Sequence, residues 1–418
     1  MYVFIIANSP GEIFGWVRPV VKKVQEKIKD VRVILVIPPC QYASGREADV
    51  AKDFPGVRYV VRPGQYLKYI FLGKSFPFYA EAKRQGGVCV FLGGDPFHAL
   101  LISRRLKFPA VAYLQRPRWN NRFKKFMVLS EKVKKDNFLS QGIDSDKVVV
   151  VGDLMIDSVV YQIEEEGIFN SPFPQGEPVI SIVPGSRPYI TVNMTLFFLK
   201  ACELIKERLP RAHFFLILSP FVKEEELFTL DKAKVNKIMN VPKTKLIREN
   251  TRWKLLTSKG IEVDIVTRKR YSVMQLSTLV LTIPGTNTAE LAYLGTPMVV
   301  TIPFQRPEFI PLEGIAGLVG GIPWVGMQIK KWAVRRYSKL IKFCSLPNIY
   351  AGREIVPELR GEVTPQDVAS SALEILQDEK RLSFISSELK KTMGKPGAAE
   401  RVAEVILQEG RVGRNEVR

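Results

Sequence analysis

Residues 283–300 read IPGTNTAELAYLGTPMVV, and this stretch does more than any other to predict the fold. An apolar run from Leu279 to Ile283 leads into it and has the length of a buried strand. The small residues of the turn open a predicted helix, which ends at Gly295 and Pro297, and the next apolar run predicts a second strand. A strand, a helix and a second strand in this order form the repeating unit of parallel α/β sheets.

The turn between the first strand and the helix has the composition of an anion site. Gly285 leaves the backbone open to a ligand, and Thr286 and Thr288 add hydroxyl groups beside the first N–H groups of the helix. The helix dipole favours a negative charge at that end. Glu290, one turn further on, can accept hydrogen bonds from sugar hydroxyls. Phosphate and ribose together indicate a nucleotide, although an ordinary αβ unit can also begin with Gly-Thr.

A second turn of this kind lies earlier in the chain. The predicted strand Val179–Val183 is followed by Pro184, Gly185, Ser186 and Arg187, and then by a helical pattern. A guanidinium group binds phosphate oxygens through a planar pair of N–H donors. Two such turns predict one nucleotide diphosphate, held at the carboxyl ends of the strands of a single parallel sheet. The alternative for Arg187 is a surface residue that caps the loop.

The composition predicts a globular protein of two domains. At 418 residues the chain exceeds one ordinary core, and its 46% apolar residues and mean hydropathy of +0.01 suit a folded protein. Uncharged apolar runs stay below the roughly 18 residues of a membrane span, and the N-terminus starts with a strand pattern, so we expect a cytoplasmic protein. Four dispersed cysteines and two histidines support neither disulfides nor a metal site.

The net charge of +20 predicts a polyanionic partner. No zinc-finger spacing or RNA-binding motif supports nucleic acid, so the expected partner is an anionic membrane surface; the alternative is a surface that is rich in Lys and Arg without such a partner, as in a thermophile. Two segments agree with that expectation. Residues 66–79 mix aromatic residues with lysines, and residues 314–327 are uncharged, glycine-rich and apolar. The alternative for each segment is a core element of its domain.

The alternation of strand and helix patterns predicts an α/β protein with two doubly wound, Rossmann-like domains that face each other across a cleft. Residues 1–165 form the predicted N-terminal domain and residues 175–395 the predicted C-terminal domain. A C-terminal helix, about 396–418, is expected to pack back on the first domain of the same chain or of a partner, which leaves the oligomeric state open. Residues 221–259 are strongly charged and predict an inserted, solvated helix pair.

Several separated motifs make the chain resemble the lipid-A-disaccharide synthases, which are two-domain nucleotide-sugar glycosyltransferases of the GT-B fold. The resemblance covers essentially the whole chain and is most specific in the run SLPNIYAGRE, residues 345–354. The other motifs, in chain order, are Gly11-Glu12 with Gly15, Gly94-Asp95, Gly152-Asp153, Pro184 to Arg187, Gly285 to Val300, and Gly397 to Ala403.

The resemblance implies a uracil nucleotide on the second domain and a glycolipid acceptor on the first. The ribose would bind Glu290, and the diphosphate would lie near a set of turn residues: Gly185, Ser186, Arg187, Gly285, Thr286 and Thr288. Three further residues would line the same cleft: Asn348, Arg353 and Glu354. The acceptor would enter past Gly11, Glu12 and Gly15.

The resemblance also implies how the transfer is catalysed. Asp95 matches the family's candidate general base, which takes the proton of the acceptor hydroxyl as UDP leaves during inversion. His98 is the fallback for this role, and the alternative for Asp95 is a simple helix cap. Hydrogen-bond donors and a helix N-terminus can take up the charge of the leaving diphosphate, so neither a metal nor another cofactor is expected.

The chain departs from the family pattern mainly on the acceptor side. Phe14 and Trp16 stand where the family usually carries a hydroxyl and a carboxylate, and the turn at Asp95 is shortened. We expect an inverting glycosyltransferase that moves an acylated glucosamine from UDP to a lipid-linked sugar at the inner face of the cytoplasmic membrane, as in the synthesis of the lipid A disaccharide. The alternatives are a UDP-sugar epimerase of related fold, a relative with another glycolipid acceptor, and a non-catalytic relative.

Overall fold

The fold is given by a computed structural model, which describes residues 1–28, 30–40, 43–73, 76, 78–232, 243–249, 252–303 and 342–415. The chain divides into two compact units. The first combines Met1–Tyr161 with Gly394–Arg418, and the second is Gln162–Met393. The apolar segment 314–327 of the sequence analysis lies outside the described residues.

The first unit is built on a seven-stranded parallel sheet. Its strands are β1 (Tyr2–Ile6), β2 (Arg32–Val36), β3 (Val57–Val61), β4 (Gly87–Phe91), β5 (Ala110–Tyr113), β6 (Lys125–Val128) and β7 (Val148–Val150). Their order is β3-β2-β1-β4-β5-β6-β7. The central strands β1 and β4 are buried along their whole length, which explains why their sequences are continuously apolar instead of alternating. The strand order reverses between β1 and β4, and such a switch point is where open α/β sheets bind ligands.

Helices follow most strands of this sheet. They are α1 (Pro10–Glu12), which continues through a π-helical turn (Ile13–Val17) into α2 (Arg18–Lys27), then α3 (Glu47–Ala51), α4 (Pro63–Leu72), α5 (Tyr79–Gln85), α6 (Pro96–Leu106), α7 (Glu131–Val133) and α8 (Leu154–Glu166). The aromatic and basic segment 66–79 thus forms most of α4 and the start of α5. Tyr66 and Tyr69 of that segment belong to the hydrophobic core of the unit.

The second unit is built on an eight-stranded sheet. Its strands are β8 (Val179–Val183), β9 (His213–Ile217), β10 (Thr244–Glu249), β11 (Arg252–Thr257), β12 (Glu262–Val266), β13 (Leu279–Thr282), β14 (Met298–Pro303) and β15 (Glu358–Gly361). Their order is β10-β11-β12-β9-β8-β13-β14-β15, so the switch point lies between β8 and β13. The helices are α9 (Pro188–Arg208), α10 (Arg270–Leu276), α11 (Asn287–Leu294), α12 (Leu346–Ala351), α13 (Pro365–Leu376) and α14 (Glu379–Thr392).

The prediction of a helix pair at residues 221–259 is wrong. The described part of this segment holds a short 3₁₀ helix, Glu224–Lys232, followed by the antiparallel strands β10 and β11. Charged side chains stabilise these strands, because they form ion pairs between neighbouring strands. The ammonium group of Lys254 lies 2.8 Å from a carboxylate oxygen of Glu249 and 3.1 Å from one of Glu262, on the strands to either side.

The chain returns to the first unit through a last helix, α15 (Ala398–Asn415), which packs against α2 and β4 of its own chain. The buried carboxylate of Asp157 in α8 accepts hydrogen bonds from the backbone N–H groups of Gly397, Ala398 and Ala399 at the start of α15. Arg401 donates from Nε to the carbonyl of Val151, 2.7 Å away. The motifs near residues 152 and 397 therefore belong to one structural joint.

Candidate active site

Both groups of predicted site residues lie at switch points of the two sheets. In the first unit, Glu12 follows β1 and Asp95 follows β4, the two strands between which the order reverses. In the second unit, Arg187 follows β8 and Thr286 follows β13, again the strands on either side of the reversal. Because the strands of each pair are parallel neighbours, their carboxyl ends meet at one edge of the sheet.

Glu12 fastens the turn that carries Asp95. One oxygen of its carboxylate accepts hydrogen bonds from the backbone N–H groups of Asn8 (3.2 Å) and Ser9 (3.0 Å), and the other accepts one from Gly94 (3.0 Å). Burial raises the pKa of the Glu12 carboxyl above its ordinary value, although these hydrogen bonds act in the opposite direction. A Cβ on Gly93 would lie 2.1 Å from Cδ of Glu12, so a larger residue there would push this carboxylate aside.

The other two predicted acceptor-side residues lie in the same helical entry. Gly11 is within α1, and Gly15 is a buried residue of the π-helical turn that follows it. A Cβ on Gly15 would lie 2.0 Å from Sδ of Met155, whose side chain is buried. Glu12 and Gly15 therefore have structural roles within the first unit, and contact with an acceptor remains a prediction.

Asp95 caps helix α6. Its Oδ1 accepts a hydrogen bond of 2.8 Å from the backbone N–H of Phe97, and its backbone is extended, as an N-cap requires. The side chain is 55% exposed, and its second oxygen lies 3.8 Å from Nη1 of Arg118. The capping role considered from the sequence is thus confirmed. The role of general base stays a prediction, and the exposed second oxygen is compatible with it.

His98 lies one turn into α6, and its ring is held by Tyr66 of α4. The Tyr66 hydroxyl lies 2.6 Å from Nδ1 of His98, and the two rings meet edge to face. Burial lowers the pKa of His98 below its ordinary value, while the nearby Asp95 carboxylate acts in the opposite direction. Burial thus favours the neutral imidazole, and Tyr66 orients it, as the fallback base would require.

Sequence reasoning missed two residues beside Asp95. A pocket of about 620 Å³ is lined by Asp95, Phe97, His98, Arg118 and Trp119. Arg118 and Trp119 lie in the connection between β5 and β6, beyond the carboxyl end of β5. A basic residue next to an aromatic one directly after a strand was the signal available in the sequence, at residues 116–119.

The two predicted phosphate turns of the second unit lie side by side. The hydroxyl of Thr282, at the end of β13, donates to the carbonyl of Val183, at the end of β8, over 2.9 Å. Gly185 has a φ of +112°, and a Cβ there would lie 2.9 Å from Cδ1 of Ile283. Glycine is thus required both by conformation and by the close approach of the neighbouring turn. Ser186 and Arg187 follow directly, and Arg187 is the N-cap of α9.

Thr288 and Glu290 are buried and contact neighbouring elements of the same unit. The Thr288 hydroxyl donates to the carbonyl of Gly285 (2.8 Å) and accepts from the backbone N–H of Leu346 (3.1 Å). One oxygen of Glu290 accepts a hydrogen bond of 2.9 Å from the buried hydroxyl of Tyr271. The Thr288 hydroxyl donates its proton to a carbonyl of the turn, so this residue holds the turn in its conformation. Gly285 and Thr286 form the turn.

The prediction for Asn348 needs correction, because its side chain is fully buried and used within the protein. Its amide nitrogen donates to the carbonyl of Val356 and to Glu358, and its amide oxygen accepts from the N–H groups of Ile355 and Val356. The four hydrogen bonds account for both donors and both lone pairs of the amide. Asn348 therefore holds the loop after α12 in place and offers nothing to a nucleotide.

Arg353 and Glu354 are exposed, and Arg353 forms an ion pair with Glu388 of α14. Their contact with a nucleotide stays a prediction. Sequence reasoning missed Glu358, the buried acceptor at the centre of this loop, which binds Cys344, Ser345, Asn348 and Arg360. Burial alone would raise the pKa of the Glu358 carboxyl, but the hydrogen bonds, above all from Ser345, lower it below its ordinary value.

Within the described ranges, no group of three or more His, Cys, Asp and Glu residues is arranged to hold a metal ion. The expected independence of metals and cofactors remains a prediction.

Comparison with known proteins gives a consistent result at low identity. No protein-family model matches the chain. The chain is 22% identical to the lipid-A-disaccharide synthase of Methylobacillus flagellatus over 96% of its own length and 97% of that protein. It is 28% identical to the lipid-A-disaccharide synthase of Anaeromyxobacter sp. strain K, over 56% of this chain and 50% of that protein.

Solved structures of UDP-sugar enzymes share the fold. The UDP-GlcNAc 2-epimerase from Neisseria meningitidis, bound to UDP-GlcNAc, covers 98% of this chain with all of its own, at a TM-score of 0.57 and 18% identity. The UDP-GlcNAc 2-epimerase from Methanocaldococcus jannaschii gives a TM-score of 0.52 and 14% identity. The predicted fold class, GT-B with two Rossmann-like domains, is confirmed. The chain is thus similar in sequence to lipid-A-disaccharide synthases, at 22% identity along nearly the whole chain, and it shares its fold with UDP-sugar enzymes.

Proposed function

We propose that the protein is an inverting glycosyltransferase that moves an acylated glucosamine from UDP to a lipid-linked glucosamine phosphate. The reaction would join UDP-2,3-diacylglucosamine and 2,3-diacylglucosamine 1-phosphate into a disaccharide phosphate and release UDP. The observation that carries the proposal is the pair of adjacent strand–turn–helix units at the β8/β13 switch point. Similarity to a lipid-A-disaccharide synthase along nearly the whole of both chains supports the choice of substrates.

The donor would bind to the second unit. Its diphosphate would lie against the turns at Gly185 and Gly285, near the N-termini of α9 and α11, where Ser186, Arg187 and Thr286 add polar side chains. Glu290, oriented by Tyr271, would accept hydrogen bonds from the ribose hydroxyls. This arrangement neutralises the charge of the diphosphate through backbone N–H groups and one guanidinium.

The acceptor would bind to the first unit, with Asp95 as the general base. The Asp95 carboxylate would take the proton of the acceptor hydroxyl while that oxygen forms a bond to the anomeric carbon of the donor sugar. The bond between this carbon and the diphosphate oxygen breaks, and its electron pair leaves with UDP. Glu12 would contribute indirectly, because its hydrogen bond to Gly94 positions the turn that carries Asp95.

The protein would work at the inner face of the cytoplasmic membrane, as a peripheral protein. No helix among the described residues has both the length and the apolar character to cross a bilayer. Helix α4 instead exposes Leu67, Phe71 and Leu72, with Phe71 76% exposed. Together with Lys68 and the net charge of +20, these side chains suit the interface of an anionic membrane.

The test is one assay in which both proposed substrates are incubated with the protein, and UDP release and product mass are followed. A tetra-acylated disaccharide phosphate, formed only when both substrates are present, would support the proposal. UDP binding without that product would move the search to another glycolipid acceptor. Conversion of UDP-GlcNAc into its 2-epimer in a parallel reaction without acceptor would refute transfer and indicate the epimerase alternative.

A further inference from the structure

The pocket beside Asp95 contains two residues to which neither the fold nor the proposed transfer assigns a role. Arg118 and Trp119 line it together with Asp95, Phe97 and His98. All five belong to the first unit, on α6 and on the connection between β5 and β6. The lining thus combines a guanidinium group, two aromatic rings and an imidazole beside the Asp95 carboxylate.

Trp119 has a backbone conformation that large side chains rarely adopt. Its φ is +57°, in the left-handed region, and the turn is closed by a hydrogen bond of 2.9 Å from the N–H of Arg122 to its carbonyl. A strained backbone conformation persists only where the surrounding structure enforces it, and packing of a bulky side chain in the core is one way to do so. The Trp119 side chain is instead 52% exposed. Its strain is therefore not compensated by burial, which points to a ligand.

Arg118 contributes little to the stability of the fold. Its Nη1 lies 3.8 Å from Asp95, beyond hydrogen-bond distance, and the two side chains are 62% and 55% exposed. Exposed pairs with this geometry hardly stabilise proteins. A guanidinium group has five N–H donors in a planar arrangement that matches phosphate oxygens. Arg118 can thus remain near Asp95 while it binds a phosphate group.

Phe97 and Trp119 form an aromatic surface on the pocket. Phe97 is 48% exposed, and the two ring centroids lie 6.0 Å apart. Exposed aromatic rings pack well against the C–H face of a sugar, which is apolar, while its hydroxyls reach polar groups at the edge. His98, held by Tyr66, offers its imidazole as such a polar group.

We infer that this pocket binds a sugar that carries a phosphate, with the sugar on the rings of Phe97 and Trp119 and the phosphate on Arg118. The inference deepens the proposed function, on which it rests, because it assigns the phosphate-bearing end of the acceptor to named residues. The same helix that orients His98 through Tyr66 exposes Leu67 and Phe71. Acyl chains attached to the bound sugar would therefore have an apolar surface on the same helix.

Direct binding tests the inference without relying on transfer. The probes are N-acetylglucosamine 1-phosphate, N-acetylglucosamine and inorganic phosphate, titrated into the full chain and followed by NMR. We expect the sugar phosphate to bind more tightly than either fragment. Arg118→Ala should weaken it at least about tenfold, as expected for a lost charge-assisted hydrogen bond. Arg122→Ala, an exposed arginine of the same connection outside the pocket lining, should change it less than about twofold.

Trp119→Gly separates the ligand role from a folding role. Glycine accepts a positive φ without strain, which offsets its greater freedom in the unfolded chain, so the variant should be about as stable as the wild type while the sugar phosphate binds at least about tenfold more weakly. Unchanged affinity in Trp119→Gly and Arg118→Ala would overturn the inference, as would equal binding of inorganic phosphate alone.

The transfer assay distinguishes failure of the inference from failure of the proposed function. If transfer occurs and Arg118→Ala leaves the KM for the phosphorylated acceptor unchanged, only the inference falls. If transfer is absent but the sugar phosphate still binds in a manner that depends on Arg118 and Trp119, the inference stands and the proposed function falls. In both variants the affinity for UDP should stay within about twofold of the wild type, since these residues belong to the first unit.

Discussion

At the scale of single residues, Asp95 has two roles that one pair of substitutions can separate. Asparagine caps helices as well as aspartate does, but it cannot take a proton. We expect Asp95→Asn to keep wild-type stability and UDP affinity while turnover falls at least about 100-fold. Asp95→Ala should lose turnover to a similar extent and also about 1 kcal/mol of stability, because the cap on α6 is lost. Urea unfolding measures the stability, and the transfer assay measures the turnover. Normal turnover in Asp95→Asn would show that Asp95 is not the base and would leave His98 as the candidate.

Arg187 is the residue on which binding of the diphosphate should depend most. It stands at the N-terminus of α9, between Ser186 and the first helical residue. Arg187→Ala should weaken UDP binding by roughly 1.5–3 kcal/mol, the value of a hydrogen bond to a charged group. Arg208→Ala, which removes an exposed arginine from the opposite end of the same helix, is the matched control and should leave the affinity unchanged. Calorimetric titration with UDP measures both, and equal affinities would refute the proposed diphosphate site.

The sequence did not predict what the selected site residues contact. Glu12 and Asp95 were both selected, yet the carboxylate of Glu12 is bound by the backbone of Gly94, far away in the chain. Asn348 was placed in the nucleotide cleft because the run 345–354 resembles the family, whereas four internal hydrogen bonds occupy its side chain. Local sequence does not show whether a polar side chain is buried, since burial depends on strands that pair over long distances.

At the scale of elements, the joint at the start of α15 should depend on one buried carboxylate. Asp157→Ala would leave the N–H groups of Gly397, Ala398 and Ala399 without their acceptor, at a cost of about 2 kcal/mol. Hydrogen exchange of α15 should become faster, since its first turn loses its anchor. Glu400→Ala removes only the partly exposed pair with Lys27 and should change the stability far less than Asp157→Ala does. Equal exchange rates in Asp157→Ala and the wild type would contradict this account.

The loop between α12 and β15 should be sensitive to acid through Glu358. The pKa of this carboxyl is lowered from its ordinary value of 4.5, so its stabilising effect is complete above that pH and disappears as the pH falls through the lowered value. Glu358→Gln should cost about 1–3 kcal/mol at pH 7, and the difference from the wild type should shrink below pH 4.5. Urea unfolding across this range measures it, with the exposed Glu374→Gln as control. A difference that does not change with pH would refute the role of Glu358.

Elements with continuous apolar sequences were predicted well, and those with mixed sequences were not. The strand Val179–Val183 has the predicted ends, and all five of its residues are buried, which explains its continuously apolar sequence. Strands β10 and β11 were mistaken for helices because their charged residues hid the alternation of period two. The ion pairs of Lys254 that stabilise them join residues of three different strands, and no local pattern reveals such pairs.

At the scale of the whole molecule, the α/β alternation was enough to predict two Rossmann-like domains, but it did not give the order of the strands. That order decides where the sites are, because both candidate sites lie where it reverses, at β1/β4 and at β8/β13. The sequence predicted the motifs after these four strands separately, without showing which of the strands are neighbours. Their pairing within each sheet is what the structure adds.

The net charge and the exposed face of α4 together predict reversible membrane binding. The protein should sediment with vesicles of anionic lipid at low salt and be released at high salt, because salt screens the attraction between its +20 charge and the lipid surface. Phe71→Glu should abolish sedimentation, since it places a carboxylate where an apolar ring would enter the interface, while UDP affinity stays unchanged. Phe384→Glu makes the same change at a 57% exposed phenylalanine of the second unit and should bind vesicles normally. Equal loss in both variants would mean that charge alone governs binding, and vesicle binding by Phe71→Glu at the wild-type level would remove α4 from the membrane contact.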